Sequence, residues 1–140
     1  MKKIWSIAAF LLLFAFNVSA QQGQNIQFFE GTFEEALATA TKENKLIFMD
    51  AYTTWCGPCR WMSSNTFTDA AVAEFYNDNF INVKMDMERG EGPALARKYR
   101  VMAYPTLLFI NPEGEIAHKK MGALPADAFL DLGQFAQKKK

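Results

Sequence analysis

The sequence predicts an α/β domain in which helices cover both faces of a mixed β-sheet. Runs of apolar, strand-favouring residues alternate with helical patterns along most of the chain. A turn between two further strand-like runs then indicates an antiparallel hairpin, and an amphipathic helix closes the sequence. Strands that alternate with helices are typical of parallel pairing, whereas a hairpin adds antiparallel pairs, so the sheet is expected to be mixed.

The first three elements follow from local signals. The run IQFF (26–29) is a short strand candidate ahead of a helix. Thr32 and Glu35 form a capping-box pattern, which predicts a helix that runs to about Glu43. The apolar run KLIFMDAY (45–52) follows and predicts a buried strand.

The middle of the chain continues the alternation. The segment around the two cysteines predicts a helix that reaches toward Ser64, and a new helix begins with Thr68 or Asp69 as its cap. The run FINVKMDM (80–87) predicts the next strand. The run GPALARKYR (92–100) predicts the next helix, with a proline near its first turn.

The last elements are a hairpin and a helix. PTLLFI (105–110) and EIAHKKM (115–121) predict two antiparallel strands, joined by a turn at 111–114 with proline in its second position. The final helix starts at Pro125. Its predicted apolar face consists of four residues, Phe129, Leu132, Phe135 and Ala136.

Residues 1–20 have the organisation of a secretory signal peptide. Two lysines near the start precede an apolar run (7–16), and small residues end the segment at Ala20. The apolar run is shorter than the ~20 residues that a membrane-spanning helix needs. Cleavage after Ala20 would leave one domain, residues 21–140, and a retained membrane anchor is the alternative.

The charge of the chain argues against two classes of partner. Without the two leader lysines, 13 basic residues stand against 15 acidic ones. This balance gives no electrostatic reason to expect nucleic acid or an anionic membrane as partner. Half of the residues are apolar, which is enough for a substantial core. We also expect the domain to be a monomer.

Cys56 and Cys59 are the only cysteines in the chain. A disulfide between them would close a loop of four residues, and chain entropy gives so short a loop about 2 kcal/mol at best. Small exported proteins that depend on disulfides for stability often need several. The pair is therefore expected to react rather than to stabilise the fold.

The position of the pair, where a buried strand gives way to a helix, predicts different roles for the two thiols. Gly57 and Pro58 occupy the first helical turn, where the missing N–H of proline costs nothing. Cys56 lies at the helix N-terminus, where free N–H groups and the helix dipole favour its thiolate. We expect Cys56 to be the nucleophile and the more exposed thiol. Cys59, one turn later, would attack a mixed disulfide on Cys56 and release the substrate.

Half of a zinc site is the alternative explanation for this spacing. Tetrahedral zinc needs two more ligands, usually Cys or His. The chain has no third cysteine, and its one histidine, His118, lies on the predicted hairpin. We therefore expect no metal and no cofactor beyond a redox-active Cys56–Cys59 disulfide.

Four stretches, FMDAYTTWCGPCRWM, VKMDME, YPTLLFINPEGE and KKMGAL, occur in the order and at the intervals of thioredoxin. The chain resembles the thioredoxin family from about Lys45 to Phe135. The segment NTFTDAAV is most similar to exported thioredoxin-like thiol:disulfide interchange domains. The resemblance implies a thioredoxin-like fold, with a central mixed sheet of four or five strands, and dithiol oxidoreductase activity.

The resemblance also implies roles for two charged residues. Asp50 matches the buried acid of the family, whose pKa should rise on burial and which could take the proton of Cys59. Lys84 matches the lysine that lies near this acid. The alternatives are local hydrogen bonding at a strand end for Asp50 and an exposed edge-strand position for Lys84.

A substrate groove is implied by the same resemblance, with six residues: Trp55, Gly57, Pro58, Tyr104, Pro105 and Gly122. Pro105 matches a cis-proline beside the dithiol, which leaves the backbone of Tyr104 free to pair with an extended substrate. Trp55 would cover the exchanging sulfur, and simple packing is the alternative role for its ring. Gly122 would line the groove, and a turn of the chain is the alternative reason for a glycine at this position. Tyr104 departs from the smaller residues usual at its position, which implies a narrower choice of substrates.

Three functions stay open at this level. A reductase of protein disulfides is favoured, because Gly-Pro between the cysteines resembles the reducing branch of the family. A disulfide oxidase or isomerase would use the same residues, whereas a binding module would carry an incidental dithiol. A reductase in an oxidising compartment needs electrons, so we expect a membrane thiol donor. We expect export to the periplasm, with secretion as the alternative.

Overall fold

A computed structural model describes residues 25–140, and the predicted signal peptide (1–20) lies outside this range. None of the helices within it has the length and apolar character needed to cross a bilayer. The elements of this part of the chain are α1 (Phe33–Glu43), β1 (Leu46–Tyr52), α2 (Gly57–Asn65), α3 (Ala70–Asn79), β2 (Phe80–Asp86), α4 (Gly92–Lys98), β3 (Thr106–Ile110), β4 (Ile116–Met121) and α5 (Ala126–Gln137).

Four strands form one sheet in the order β2-β1-β3-β4. β1 pairs in parallel with β2, in a register that places Asp50 opposite Lys84. β3 runs antiparallel to both β1 and β4. The prediction of a mixed sheet is therefore confirmed, and β1, which leads into the cysteine segment, lies in its interior.

Helices cover both faces of this sheet, as predicted. Ile47 and Met49 of β1 belong to an apolar cluster with residues of α1 and α4. Leu46 and Phe48 belong to a second cluster with residues of α2, α3 and α5. Side chains alternate between the faces of a strand, so Asp50 shares the face of Phe48. Asp50 is therefore on the side of the sheet that the cysteine-bearing helix covers.

The prediction of a strand at residues 26–29 is wrong. The N–H of Ile26 donates to the carbonyl of Phe67 at 2.9 Å, and the N–H of Phe29 donates to the carbonyl of Asn82 at 2.7 Å. These bonds go to two different parts of the fold and do not form a ladder. The apolar residues of this segment signalled burial correctly, but burial alone does not identify a strand.

Helix starts were predicted more accurately than helix faces. The reciprocal hydrogen bonds between Thr32 and Glu35 are both present, and Asp69 rather than Thr68 caps α3. In α5, Phe135 is exposed and its ring packs on His118 at a centroid distance of 4.9 Å. Gly133 is buried in its place, because α5 approaches α3 closely at that position.

Candidate active site

Cys56 and Cys59 form a disulfide at the start of α2, with Cα atoms 5.3 Å apart. Cys56 is the N-cap residue, and its Sγ accepts a hydrogen bond from the N–H of Cys59 at 3.2 Å. Gly57 and Pro58 form the exposed first turn. This is the predicted strand–turn–helix arrangement, and it aims helical N–H groups at the sulfur of Cys56.

Both cysteines are buried in the disulfide form, with 3% of Cys56 and 2% of Cys59 exposed. The greater exposure expected for Cys56 is therefore not seen in this state. A cleft of about 320 Å³ instead opens beside Cys59. It is lined by Tyr52, Thr53, Thr54, Cys59, Arg60, Ser63, Ser64 and Lys84.

Asp50 is fully enclosed beneath the cysteine-bearing helix, with only 1% of its surface exposed. Its Oδ2 accepts a hydrogen bond from Nζ of Lys84 at 3.1 Å. Its Oδ1 is buried and has no hydrogen-bond partner within residues 25–140. Removal from water raises the pKa of Asp50, and the Lys84 ammonium opposes this rise. Because burial is the larger effect, the carboxyl holds its proton more firmly than an exposed aspartate does.

Lys84 lies on the edge strand β2, but its amine turns inward over the sheet face. In addition to Asp50, Nζ donates to Oγ of Ser63 at 2.6 Å. Nζ also lies 4.8 Å from the ring centroid of Tyr52. The sequence resemblance indicated the neighbourhood of Lys84 and Asp50, whereas Ser63 was missed. Its spacing of four residues from Cys59 places both on one face of α2, and this was the available signal.

Trp55 stands exposed beside the disulfide, with 65% of its surface accessible. Its Nε1–H donates to Oε1 of Glu88 at 2.5 Å. Its ring also meets the ring of Tyr104 edge to face, at a centroid distance of 5.8 Å. Tyr104 and Glu88 therefore hold the indole between them. Glu88 was not predicted, because nothing in its local sequence marks a partner 33 residues away.

Pro105 and Gly122 lie next to each other at the adjoining ends of β3 and β4. The peptide bond between Tyr104 and Pro105 is cis. The N–H of Gly122 donates to the carbonyl of Pro105 at 2.8 Å, and Gly122 has φ +94°, a region that favours glycine. Met102, just before this turn, is 87% exposed. The rings of Trp55 and Tyr104 and the side chain of Met102 thus give this part of the surface an apolar character.

The fold and the dithiol together define a thiol:disulfide oxidoreductase of the thioredoxin fold. Comparison with known protein families agrees with this class. Residues 19–114 match the family described as "Thioredox_DsbH: Protein of unknown function, DUF255". The chain belongs to this thioredoxin-like family.

Individual relatives resemble most of the domain. The chain is 40% identical to the thioredoxin of Echinococcus granulosus over 84 residues, which are 60% of this chain and 73% of the relative. It is also 33% identical to the thiol:disulfide interchange protein DsbD of Pasteurella multocida over 92 residues. These residues are 63% of this chain and 16% of that much longer protein. Among solved structures, a putative disulphide-isomerase from Bacteroides thetaiotaomicron is 47% identical, with a TM-score of 0.74 and coverage of 85% of this chain and 98% of the other.

Proposed function

We propose that this protein is an exported reductase of protein disulfides. The observation that carries the proposal is the Cys56–Cys59 disulfide at the N-terminus of α2, on the sheet face that also holds the buried Asp50 and its half-buried partner Lys84. A disulfide of so short a loop contributes little stability, and the acid–lysine pair is unnecessary for a structural bridge. Both features suit a dithiol that cycles between two redox states.

The proposed reaction has two exchange steps. In the reduced protein the Cys56 thiolate attacks one sulfur of a substrate disulfide, which forms a mixed disulfide and releases the first substrate thiolate. Cys59 then loses its proton to Asp50 and attacks the Cys56 sulfur. This closes the Cys56–Cys59 disulfide and releases the second substrate thiolate. Two electrons pass to the substrate, whose thiolates take up protons from solvent.

Trp55, Tyr104 and the neighbouring exposed apolar side chains are proposed to receive the substrate, together with Gly57, Pro58, Pro105 and Gly122. Trp55, Gly57 and Pro58 are exposed beside the disulfide and Tyr104 and Gly122 are half-buried, which supports this role, whereas Pro105 is buried and would act through the backbone of its neighbour. An unfolded or extended polypeptide offers both a disulfide and apolar side chains to such a surface, so the proposed substrates are protein disulfides.

Export and an electron donor complete the proposal. Residues 1–20 have the order of a signal peptide, and a matched relative is named as a thiol:disulfide interchange protein. A periplasmic reductase would be oxidised at each turnover and would need a thiol donor on the membrane to restore the Cys56–Cys59 dithiol. Sequencing the N-terminus of protein recovered from the periplasm should give Gln21 as the first residue.

Insulin reduction monitored by turbidity tests the activity directly. Wild-type protein with dithiothreitol should accelerate precipitation of the insulin B chain, and Cys56→Ser should abolish the acceleration. Cys59→Ser should instead accumulate a mixed disulfide with the substrate, visible by mass spectrometry. If the wild-type protein does not accelerate insulin precipitation beyond the rate with dithiothreitol alone, a binding module remains as the function.

Isomerase activity is the second candidate, because a solved structure 47% identical to this chain is described as a putative disulphide-isomerase. The reduction potential of the Cys56–Cys59 pair separates the two functions. A reductase should titrate near the value of about −270 mV typical of thioredoxin, whereas isomerases lie near about −180 mV. Reactivation of scrambled ribonuclease should accordingly be weak for a reductase.

A further inference from the structure

The Lys84 ammonium is surrounded by three aromatic rings. Its Nζ lies 5.4 Å from the ring centroid of Phe28, 4.8 Å from that of Tyr52 and 5.3 Å from that of Phe67. The rings come from the N-terminal segment, from the end of β1 and from the loop after α2. Ring faces attract a cation but accept no strong hydrogen bond, so they confine the ammonium without competing for its protons.

The hydrogen bonds of Nζ go to two oxygens on different elements. One is Oδ2 of Asp50 at 3.1 Å on β1, and the other is Oγ of Ser63 at 2.6 Å on α2. Ser63 follows Cys59 by one helical turn, and Ser63, Cys59 and Lys84 line the same cleft. Ser63 thus joins the helix that carries the thiols to the lysine that contacts the buried acid.

We propose that Ser63 is a positioning residue for the resolving step: its hydroxyl holds the Lys84 ammonium against Asp50, so that the Asp50 carboxyl is ready to accept the proton of Cys59. This inference rests on the proposed function. Lysine has a long side chain with several rotamers, and three rings alone would permit more than one position of its amine. A short hydrogen bond to Ser63 selects the position in which the amine also reaches Asp50.

Loss of the Ser63 contact would have an electrostatic consequence for the Asp50 carboxyl. Burial raises the pKa of Asp50 and Lys84 lowers it, so a displaced ammonium would leave the pKa higher still. The titratable or charged neighbours are Tyr52 on β1, whose hydroxyl is influenced by Asp50, Asp86 and Arg89, and Cys59 and Arg60 on α2, which line the same cleft as Lys84. Substitution of Ser63 changes none of these charges, which makes it a clean probe of geometry.

The test is an NMR titration of the Asp50 carboxyl carbon in the oxidised protein, in which neither thiol titrates. Ser63→Ala should move the midpoint upward by about half a pH unit, which lowers the ionised fraction about three-fold well below the midpoint. Ser63→Thr keeps the hydroxyl and should retain the wild-type midpoint. Ser64→Ala, the matched control at the next position, should also leave it unchanged. Equal midpoints for Ser63→Ala and wild type would overturn the inference.

A kinetic measurement then connects the positioning to the reaction. The rate at which Cys59 resolves a mixed disulfide on Cys56 should fall about three-fold in Ser63→Ala on the acidic limb of its pH profile and recover at higher pH. A uniform decrease at all pH values would contradict positioning through Asp50. Failure of the proposed function would look different, because the wild-type protein would then reduce no disulfide while the NMR comparison still decided the role of Ser63.

Discussion

Asp50 is the residue whose environment has the most direct chemical consequence, because its carboxyl is buried and forms an ion pair with Lys84. Asp50→Asn should slow the resolving step about 10²-fold at neutral pH, since Cys59 loses its proton acceptor. Stopped-flow fluorescence of mixed-disulfide decay measures this rate. Asp78→Asn, an exposed substitution in α3, is the matched control. An unchanged rate in Asp50→Asn would remove Asp50 from the mechanism.

The same substitution should stabilise the fold at neutral pH. Burial raises the pKa of Asp50 above its ordinary 3.8, and Lys84 offsets only part of that rise. The stability gained from the bound proton is complete below pH 3.8 and is lost as the pH rises through the folded-state pKa. Melting temperatures of Asp50→Asn and wild type should therefore converge in acid and separate toward neutral pH, with Asp50→Asn higher. The opposite order at neutral pH would show that the ion pair outweighs the burial cost.

At the residue scale, prediction from sequence succeeded where a residue type has a recognisable spacing. The Cys–x–x–Cys turn was located from its spacing, and Asp50 and Lys84 were located from the resemblance to the thioredoxin family. Glu88 could not be located, because its contact with Trp55 joins separate elements, and the spacing of Ser63 from Cys59 indicates a shared helix face but not the contact with Lys84. Such contacts depend on how α2 and the loop after β2 pack, which local patterns do not determine.

The segment that enters β3 carries Tyr104, whose ring packs edge to face on Trp55. Replacement by Thr would remove that ring and free the indole, which should widen the range of disulfides that reach the Cys56 sulfur. We expect kcat/KM ratios among several disulfide substrates to change by about ten-fold in Tyr104→Thr. Tyr104→Phe, which keeps the ring, is the control. If kcat/KM changed by the same factor for every substrate, Tyr104 would affect the exchange chemistry and not the choice of substrate.

The packing of α5 on α3 depends on Gly133. A Cβ at that position would lie 2.7 Å from the hydroxyl and 2.8 Å from Cζ of Tyr76. Tyr76 cannot easily yield, because its ring stacks on Phe129 at 4.2 Å and its hydroxyl donates to the Phe129 carbonyl. Gly133→Ala should therefore cost about 1–3 kcal/mol in chemical denaturation, despite the better helix propensity of alanine. Gln134→Ala, exposed on the same helix, should be nearly neutral, and a stabilised Gly133→Ala would show that the helices separate at little cost.

At the element scale, the order of the helices and strands from α1 to α5 was predictable from the sequence. The structure of the N-terminal segment and the buried face of α5 were not. Strands with continuous apolar runs and helices with side-chain caps were found within a few residues. The segment at 26–29 has strand-favouring residues, yet its N–H groups bond to Phe67 and Asn82 on separate elements. Phe135 fits the helical period of α5 but faces outward, because the close approach at Gly133 rotates the buried face of the helix.

Considered as a whole, the molecule has two apolar clusters that share one sheet. Leu107 and Leu108 are consecutive on β3, and each is fully buried in a different cluster. Leu107→Ala and Leu108→Ala should each destabilise the domain by about 2–5 kcal/mol and lower the midpoint of a single transition. Fluorescence and circular dichroism should give coincident curves for both variants. Separate transitions would show that the two faces unfold independently.

The sheet also fixes where the two ends of the domain lie relative to the disulfide. The N-terminal segment docks beside Lys84, and Asn25, Ser63 and Lys84 share the lining of one surface cleft. Lys140 lies instead beside Leu46, at the far end of β1 from the cysteines, about 20 Å away along the strand. An affinity tag fused directly before residue 25 would begin beside Ser63 and Lys84, whereas one fused after Lys140 would begin at the far end of the sheet. Recombinant versions for the measurements above are therefore best extended at the C-terminus.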